Sequence, residues 1–288
     1  MIRGWKLWAL PVAVALPLAM AIVASRTVAP WGKEAILHSW RRPAPSPPSI
    51  PHEDLTLRGE GIDLRGWRFP ASGVRRGLVV YLHGSSDDRR GSVGIARQFT
   101  PRGFDVLAYD LRAHGQSGGD ACTYGVLERR DLARILDGEP SGPVTLIGFS
   151  LGASVALQAA ADDPRISLVV AIAPFSDLRT IVHDRSPFFV TRGQAEEALR
   201  LAGLEGGFAV DEASPVACAA RIRCPVLLVH GAEDTATPPD HSRRIFDALT
   251  CPKELLLESS VGHEDPLGAE AWKRIEEAVE TLALPPPR

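Results

Sequence analysis

The feature that most constrains this fold is one stretch, residues 144–157, in which an apolar run is followed by Gly-Phe-Ser-Leu-Gly and then by small residues. This pattern is typical of a strand that turns into a helix within very few residues, with a strained serine at the turn. Because Gly148 and Gly152 lack side chains, the two backbones can pass close to each other. The helix begins directly behind Ser150, so its free amides would face an oxyanion formed there. The stretch predicts a nucleophilic serine, and an ordinary glycine-rich turn is the open alternative.

Strand and helix patterns alternate along the rest of the chain. At 288 residues, 45% of them hydrophobic, the chain is long enough for one large α/β domain. Apolar or alternating runs predict strands at 54–58, 62–69, 77–82, 104–109, from 144, and at 166–172, 225–230 and 253–258. Helical spacing predicts helices at 91–102, 123–136, from 151, and at 239–249 and 267–284. We therefore expect a mostly parallel, doubly wound sheet, in which active-site residues lie at the carboxyl ends of the strands.

Two later loops contain partners for the serine. Asp234 follows the predicted strand at 225–230, and His263 follows the strand that ends at Glu258. A serine hydroxyl needs a base to take its proton, and the base needs an acid to orient it. The chain order Ser150, Asp234, His263 is the order found in α/β-hydrolases. In this scheme Ser150 attacks an acyl carbonyl, His263 moves the proton and Asp234 fixes the imidazole.

With these motifs in register, the chain from about Asp54 to its C-terminus resembles serine hydrolases of the α/β-hydrolase fold. His83-Gly84 resembles the oxyanion turn of that family, and Asp110–Ser117 resembles its D-x-R-G-H-G-x-S signature, with Ala113 where glycine is usual. The resemblance is closest to the membrane-anchored hydrolases related to the serine aminopeptidase and BEM46-like groups. It implies an oxyanion hole formed by the amides of Leu151 and Ser85.

Several other polar residues lie at predicted strand ends and are weaker candidates. His83 and His114 are expected to order loops, and Asp110 with Arg112 to form a structural turn. Asp177 and Glu233 are alternative acids. The segment 176–216 has no clear strand and is interpreted as a short cap, whose His183 and Asp184 either contact substrate or lie in a solvated loop.

The predicted activity is cleavage of carboxylic esters, thioesters or amides through an acyl-enzyme, on a small-molecule or lipid-like acyl substrate. A serine aminopeptidase or an acyltransferase uses the same three residues and remains an alternative. A catalytically inactive α/β-hydrolase that serves as an interaction module is an alternative from a different class. The presence of all three candidates favours an enzyme, but the fold does not fix the substrate.

The N-terminal sequence predicts a segment that inserts into a membrane. An uncharged run from Leu7 to Ala24 follows Arg3 and Lys6, and as a helix it would be about 27 Å long, close to the thickness of a bilayer core. Residues 1–25 are interpreted either as a signal-anchor with the catalytic domain outside the cytoplasm or as a cleaved signal peptide that leaves a secreted or periplasmic protein.

Between this segment and the hydrolase domain at 54–288 lies a juxtamembrane region, residues 26–53. It contains a short predicted helix from Trp31 to Trp40, which lies either on a membrane surface or on the domain. Five prolines in 41–51 follow and predict a stiff, extended spacer between the membrane and the domain.

Composition excludes some other classes of protein. A formal net charge of −3 gives no argument for nucleic-acid binding. No metal or nucleotide motif is present, so neither a metal nor a cofactor is expected. The four cysteines form no C-x-x-C pair. A disulfide between Cys218 and Cys224 requires an oxidising compartment, and free thiols are the alternative.

Overall fold

A computed structural model describes residues 28–265 and 267–282 of the chain. Its centre is a sheet of eight strands in the order β1-β2-β4-β3-β5-β6-β7-β8. The strands are β1 (Glu53–Arg58), β2 (Asp63–Phe69), β3 (Gly77–Leu82), β4 (Phe104–Tyr109), β5 (Val144–Phe149), β6 (Ile166–Ile172), β7 (Val226–Gly231) and β8 (Lys253–Glu258). Each lies within a residue or so of its predicted position.

The sheet is parallel except at one edge. β1 pairs with β2 and β2 with β4 in antiparallel register, whereas every other neighbouring pair is parallel. Parallel strands end at the same edge of a sheet, so the loops after β3, β5, β6, β7 and β8 meet there. The predicted α/β-hydrolase fold with a mostly parallel sheet is confirmed.

Helices cover both faces of the sheet, which explains why the central strands are apolar throughout. One face packs against α2 (Ser92–Phe99) and α9 (Ala269–Leu282). The other packs against α3 (Glu128–Asp137), α4 (Leu151–Asp162) and α8 (Asp240–Ala248). The remaining helices are α1 (28–37), α5 (Leu178–Arg185), α6 (Arg192–Gly206) and α7 (Pro215–Cys218).

Helix α3 begins five residues later than the helical spacing at 123–136 predicted. Residues 123–127 form turns instead, and the Glu128 carboxylate accepts hydrogen bonds from the backbone N–H of Thr123 and of Gly125, both buried. Gly125 has φ +108°, which an α-helix does not allow. The apolar residues at 123–127 have helical spacing, but the positive φ of Gly125 prevents the helix from beginning before Glu128.

The cap segment lies between β6 and β7. Residues 176–216, all of which the structure describes, contain α5, α6, a 3₁₀ turn and α7 but no strand. Asp177 caps α5 by accepting from the Thr180 amide, and Thr191 caps α6 together with Gln194. Each helix therefore begins at a side chain that satisfies a free backbone amide.

Residues 28–53 lie against the domain rather than standing away from it. α1 packs through Ile36 and Leu37, whose backbone carbonyls accept from the Tyr124 hydroxyl and the Cys122 amide respectively. This agrees with the second of the two interpretations of the Trp31–Trp40 region. The proline-rich segment that follows is fastened to the domain, because the Arg41 guanidinium donates to backbone carbonyls of the 114–119 turn.

The predicted membrane segment, Leu7–Ala24, lies outside the described residues. Within residues 28–265 and 267–282, no helix is both long enough and apolar enough to cross a membrane. All four cysteines are free, so the structure contains no Cys218–Cys224 bond.

Candidate active site

Ser150 lies at the sharp turn between β5 and α4 that the glycine pattern predicts. Its backbone has φ +50° and ψ −110°, a conformation in which a non-glycine residue is strained. The Ser150 amide donates to the carbonyl of Ile172 at the end of β6, 2.8 Å away. A Cβ placed on Gly148 would lie 2.4 Å from the carbonyl oxygen of Gly152, so the turn requires glycine there. The packing of α4 against the sheet therefore holds the serine in its strained position.

Replacing Gly152 with alanine tests this packing. A Cβ at Gly152 would lie 2.1 Å from the carbonyl oxygen of Leu82 in β3, which cannot move without distorting the sheet. We expect the free energy of unfolding to fall by about 3 kcal/mol or more, measured by urea denaturation. Gly193→Ala in α6 is the matched control, because its Cβ would meet no atom within 4 Å. Equal stability of the two variants would contradict the close approach.

His263 and Asp234 lie beside Ser150 in a single hydrogen-bonded chain. The His263 Nδ1 is 2.6 Å from Asp234 Oδ2, and its Nε2 is 3.1 Å from the Ser150 Oγ. A carboxylate only accepts, so Nδ1 carries the proton and Nε2 is left to accept from the serine hydroxyl. Ser150 is 5% and Asp234 3% exposed, so the chain is largely shielded from water. The structure thus brings together the three residues that the sequence singled out.

Asp234 is held as an anion by four donors. Oδ1 accepts from the amides of Ala236 and Thr237, and Oδ2 accepts from His263 and faces the His230 Nε2 at 3.3 Å. Burial alone would raise the pKa of Asp234, but the hydrogen bonds from His230, His263 and Thr237 outweigh it and hold the pKa well below its usual range. The carboxylate therefore stays charged opposite His263.

His230 is a supporting residue whose place beside the acid the sequence did not predict. It is fully buried at the end of β7, where its Nε2 donates to the Thr237 carbonyl and its Nδ1 accepts from the Ser242 hydroxyl. These contacts brace the loop that carries Asp234. A histidine four residues before the acid is the only signal for this role in the sequence.

The turn after β3 places Ser85 in the same cleft as Ser150. The His83 Nδ1 donates to the Gly84 carbonyl at 2.7 Å, and its Nε2 accepts from the Leu111 amide at 2.9 Å. In a trans peptide the Ser85 N–H points opposite to the Gly84 carbonyl, and hence away from His83. Ser85 lines the cleft together with Ser150. The Leu151 amide is the first of α4 and has no acceptor within the helix.

His83 and His114 are structural, as the sequence analysis expected. Their rings lie 5.2 Å apart in an edge-to-face contact, and both are buried. Burial lowers the pKa of His83 to about 4, and burial together with the neighbouring His83 lowers the pKa of His114 to about 4. Both imidazoles are therefore neutral at pH 7.

This pair predicts sensitivity to mild acid. In the unfolded chain both histidines gain protons as the pH falls below about 6.5, whereas in the folded protein they stay neutral until about pH 4. The contribution of the two neutral histidines to the free energy of unfolding is therefore fully present above pH 6.5. It is lost as the pH falls, by at most about 1.4 kcal/mol per pH unit for each histidine. Urea denaturation between pH 7 and 5 measures it. We expect His114→Gln to reduce this slope and His38→Gln, at an exposed position, to leave it unchanged; the reverse result would contradict the assignment.

The 110–117 signature forms a rigid turn behind the site. Asp110 accepts from the backbone amides of Arg89 and Gln116, and the Arg112 guanidinium binds Asp131 at 2.8 Å. Ala113 has φ +60°, in the left-handed region that glycine adopts more readily than alanine. The predicted structural role of Asp110 and Arg112 agrees with these contacts.

The weaker candidates lie elsewhere or have other partners. Asp177 caps α5, and Glu233 is exposed. The His183 Nε2 is 2.6 Å from Glu196 in α6. Of the two cap residues considered, Asp184 alone lines the cleft with Ser150. None of these groups accepts a hydrogen bond from His263 among the contacts of the described residues.

The cleft over Ser150 has a volume of about 510 Å³ and a mixed, largely polar lining. Arg185 at the end of α5 is one of its walls, held there by hydrogen bonds to the Ala236 carbonyl and the Thr237 hydroxyl. No sequence pattern indicated Arg185, because only the folded cap brings it to the site. The other residues that line the cleft are Ser85, Phe149, Asp184, Thr235, Ala236, His263 and Glu264.

A second, more apolar cavity of about 540 Å³ lies on the other side of Phe149 and His263, whose rings are 5.2 Å apart. Its floor includes Tyr81, Ile95 and Ile172. Ser150 does not line it. Of these two cavities, the cleft that contains Asp184 and Arg185 is therefore the one that opens onto Ser150.

Comparisons with known proteins agree with this architecture. The model of the alpha/beta hydrolase fold matches residues 77–201, and that of the prolyl oligopeptidase family matches residues 141–265. The uncharacterized protein YqkD of Bacillus subtilis is 27% identical over 216 residues, which cover 70% of each chain. The polyketide transferase ATR5 of Stachybotrys chlorohalonatus is 26% identical over 275 residues, covering 76% of this chain and 92% of that one.

Among solved structures, the esterase Pf2001 of Pyrococcus furiosus superimposes with a TM-score of 0.70. It is 23% identical, and the match covers 85% of this chain and 99% of the esterase. The chain therefore has the alpha/beta hydrolase fold, and the matches together support a hydrolase.

Proposed function

We propose that the protein is a serine hydrolase that cleaves carboxylic esters, thioesters or amides through an acyl-enzyme. The observation that carries the proposal is the hydrogen-bonded chain from Ser150 through His263 to Asp234, with the serine strained at its turn. A structural serine at a glycine-rich turn needs neither a base at 3.1 Å nor a buried acid behind that base. The arrangement has the chemical elements of nucleophilic catalysis.

The geometry supports a definite sequence of proton movements. The Ser150 hydroxyl gives its proton to the His263 Nε2 as its oxygen attacks the acyl carbon, and the resulting imidazolium is stabilised by Asp234. The oxyanion accepts hydrogen bonds from the amides of Leu151 and Ser85, each worth about 3 kcal/mol in comparable sites. His263 then protonates the leaving group. Water, activated by the same imidazole, releases the acid and restores the serine.

An ester or thioester is the leading substrate class. A lipid-like acyl group is favoured because the predicted N-terminal membrane segment would hold the enzyme beside lipids. Two alternatives have some support from the matches. The match to the prolyl oligopeptidase family favours a peptidase, and the similarity to a protein named polyketide transferase favours transfer of the acyl group to an acceptor other than water. An inactive interaction module is disfavoured, because all three residues are present and in contact.

Labelling with a fluorophosphonate probe tests the proposal. The probe forms a covalent phosphonyl bond only with an activated serine, so we expect a single adduct on the peptide that contains Ser150, located by mass spectrometry. A panel of ester, thioester and aminoacyl amide substrates, with and without an acceptor alcohol, then separates the classes. Absence of the adduct in folded protein would overturn the serine hydrolase proposal.

We also propose that residues 1–25 anchor the protein in a membrane, with the hydrolase domain on the extracytoplasmic side. The apolar run Leu7–Ala24 supports this, as do the exposed indoles of Trp31 and Trp40, which are 80% and 68% accessible. Membrane fractionation with N-terminal sequencing tests it. A soluble protein that begins at Ile22 would instead show a cleaved signal peptide.

A further inference from the structure

Residues 185–192 form an exposed segment at the tip of the cap. Its sequence, Arg-Ser-Pro-Phe-Phe-Val-Thr-Arg, contains two cations and no acid. Phe188 is 100% and Phe189 66% exposed, and their rings form an edge-to-face pair 5.5 Å apart. Two adjacent phenylalanines in water are unfavourable, and exposed apolar groups of this size mark an interaction surface. We call these eight residues the aromatic loop.

The N-terminal end of α1 points toward the same end of the molecule. The Cβ position of Gly32 lies 3.0 Å from the Cβ of Ala198 in α6, and that of Gly206, at the end of α6, lies 3.0 Å from the Leu37 Cδ2, at the end of α1. The two helices therefore run in the same direction. Val28 accordingly lies toward the end of α6 that directly follows the aromatic loop.

Chain length limits how far the proposed membrane segment can lie from the start of α1. Only three residues, 25–27, separate Ala24 from Val28. Even a fully extended chain spans at most about 14 Å over four residues. A membrane that held the Leu7–Ala24 run, as proposed above, would therefore lie on the side of the α1–α6 pair that carries Phe188 and Phe189.

The aromatic loop begins at the cleft. Arg185, its first residue, lines the cleft together with Ser150 and is fixed by a 2.8 Å hydrogen bond to the Ala236 carbonyl. Phe188 follows only three residues later. A surface that contacts the loop would thus lie against the mouth of the cleft.

We propose that the aromatic loop docks on the surface of a lipid bilayer that contains anionic lipids, so that the mouth of the cleft faces the membrane. Aromatic rings are favoured at the boundary between headgroups and acyl chains. Arg185 and Arg192 carry the charge that anionic headgroups attract. Docking itself does not depend on catalysis. Its consequence, that an apolar ester reaches Ser150 directly from the bilayer, rests on the proposed function.

Docking is tested with full-length protein in nanodiscs of phosphatidylcholine and phosphatidylglycerol that contain a spin-labelled quencher lipid. Phe188→Cys and Leu204→Cys are each labelled with bimane, and labelled unsubstituted protein corrects for the native cysteines. Leu204 is the matched control, because it is 70% exposed near the opposite end of α6. We expect quenching at position 188 to exceed that at 204 at least threefold. Equal quenching would overturn the proposal, and would result if the loop contacts a second copy or the N-terminal run of its own chain.

The consequence for substrate delivery is tested with Phe188→Ser/Phe189→Ser. In nanodiscs we expect turnover of a long-chain lipid ester to fall at least fivefold, while turnover of a short water-soluble ester and fluorophosphonate labelling stay within about twofold. Leu204→Ser should change none of the three. Unchanged lipid turnover alongside intact labelling would overturn delivery from the bilayer, whereas loss of labelling in unsubstituted protein would indicate failure of the proposed function instead.

Discussion

Ser150→Ala is expected to lower kcat on an activated ester by about 10⁶-fold, the loss seen when the nucleophile of such a site is removed. The change deletes only the oxygen, so the hydrogen bond from the Ser150 hydroxyl to the His263 Nε2, 3.1 Å long, is lost while the backbone is retained. We expect KM to change little, because the oxyanion donors and the cleft remain. Steady-state kinetics and fluorophosphonate labelling measure both effects.

Ser154→Ala is the control for this variant. Ser154 lies one turn later in α4, is equally buried, and its Oγ hydrogen-bonds to the backbone of Phe175. Its loss should reduce stability by about 1 kcal/mol but leave labelling intact. Labelling that persists in Ser150→Ala, or disappears in Ser154→Ala, would contradict the assignment of the nucleophile.

The elements that could be predicted from sequence are those that local physics determines. The pattern around Ser150 predicts a strand, a tight turn and a helix, because an apolar run precedes the two glycines and small residues follow them. The observed φ of +50° at Ser150 agrees with that turn. Asp234 and His263 were found in the same way, because each follows an apolar strand whose end lies at the edge of the sheet where Ser150 sits.

Residues whose position depends on long-range packing could not be predicted. Arg185 reaches the cleft only because α5 packs beside the loop after β7. In the sequence, His230 is simply the last residue of an apolar strand. Its role depends on the following loop, which folds back and places Thr237 and Asp234 against its ring. The proline-rich segment forms neither a helix nor a strand, as its composition predicts, but composition does not encode the Arg41 contacts that fasten it to the domain.

Asp234→Asn is expected to lower kcat by about 10⁴-fold, because the amide changes which imidazole nitrogen carries the proton. The carboxylate accepts from the His263 Nδ1 at 2.6 Å, whereas an amide nitrogen in that place can only donate. His263 would then carry its proton on Nε2 and could not accept the one from Ser150. Rates measured with an activated ester across pH 5 to 10 test this.

Glu233→Gln is the matched control, since Glu233 is the adjacent carboxylate and is exposed. We expect its kcat to stay within about twofold of the unsubstituted protein.

The pH dependence of stability adds a second check on Asp234. The folded pKa of Asp234 lies below its unfolded value, so the hydrogen bonds to its carboxylate stabilise the fold at neutral pH, and this contribution begins to fall only below about pH 4. Asp234→Asn should therefore lower the free energy of unfolding by a constant amount from pH 7 to about pH 5, and by progressively less as the pH falls below about 4. A loss that does not shrink below pH 4 would show that Asp234 is not held as a buried anion.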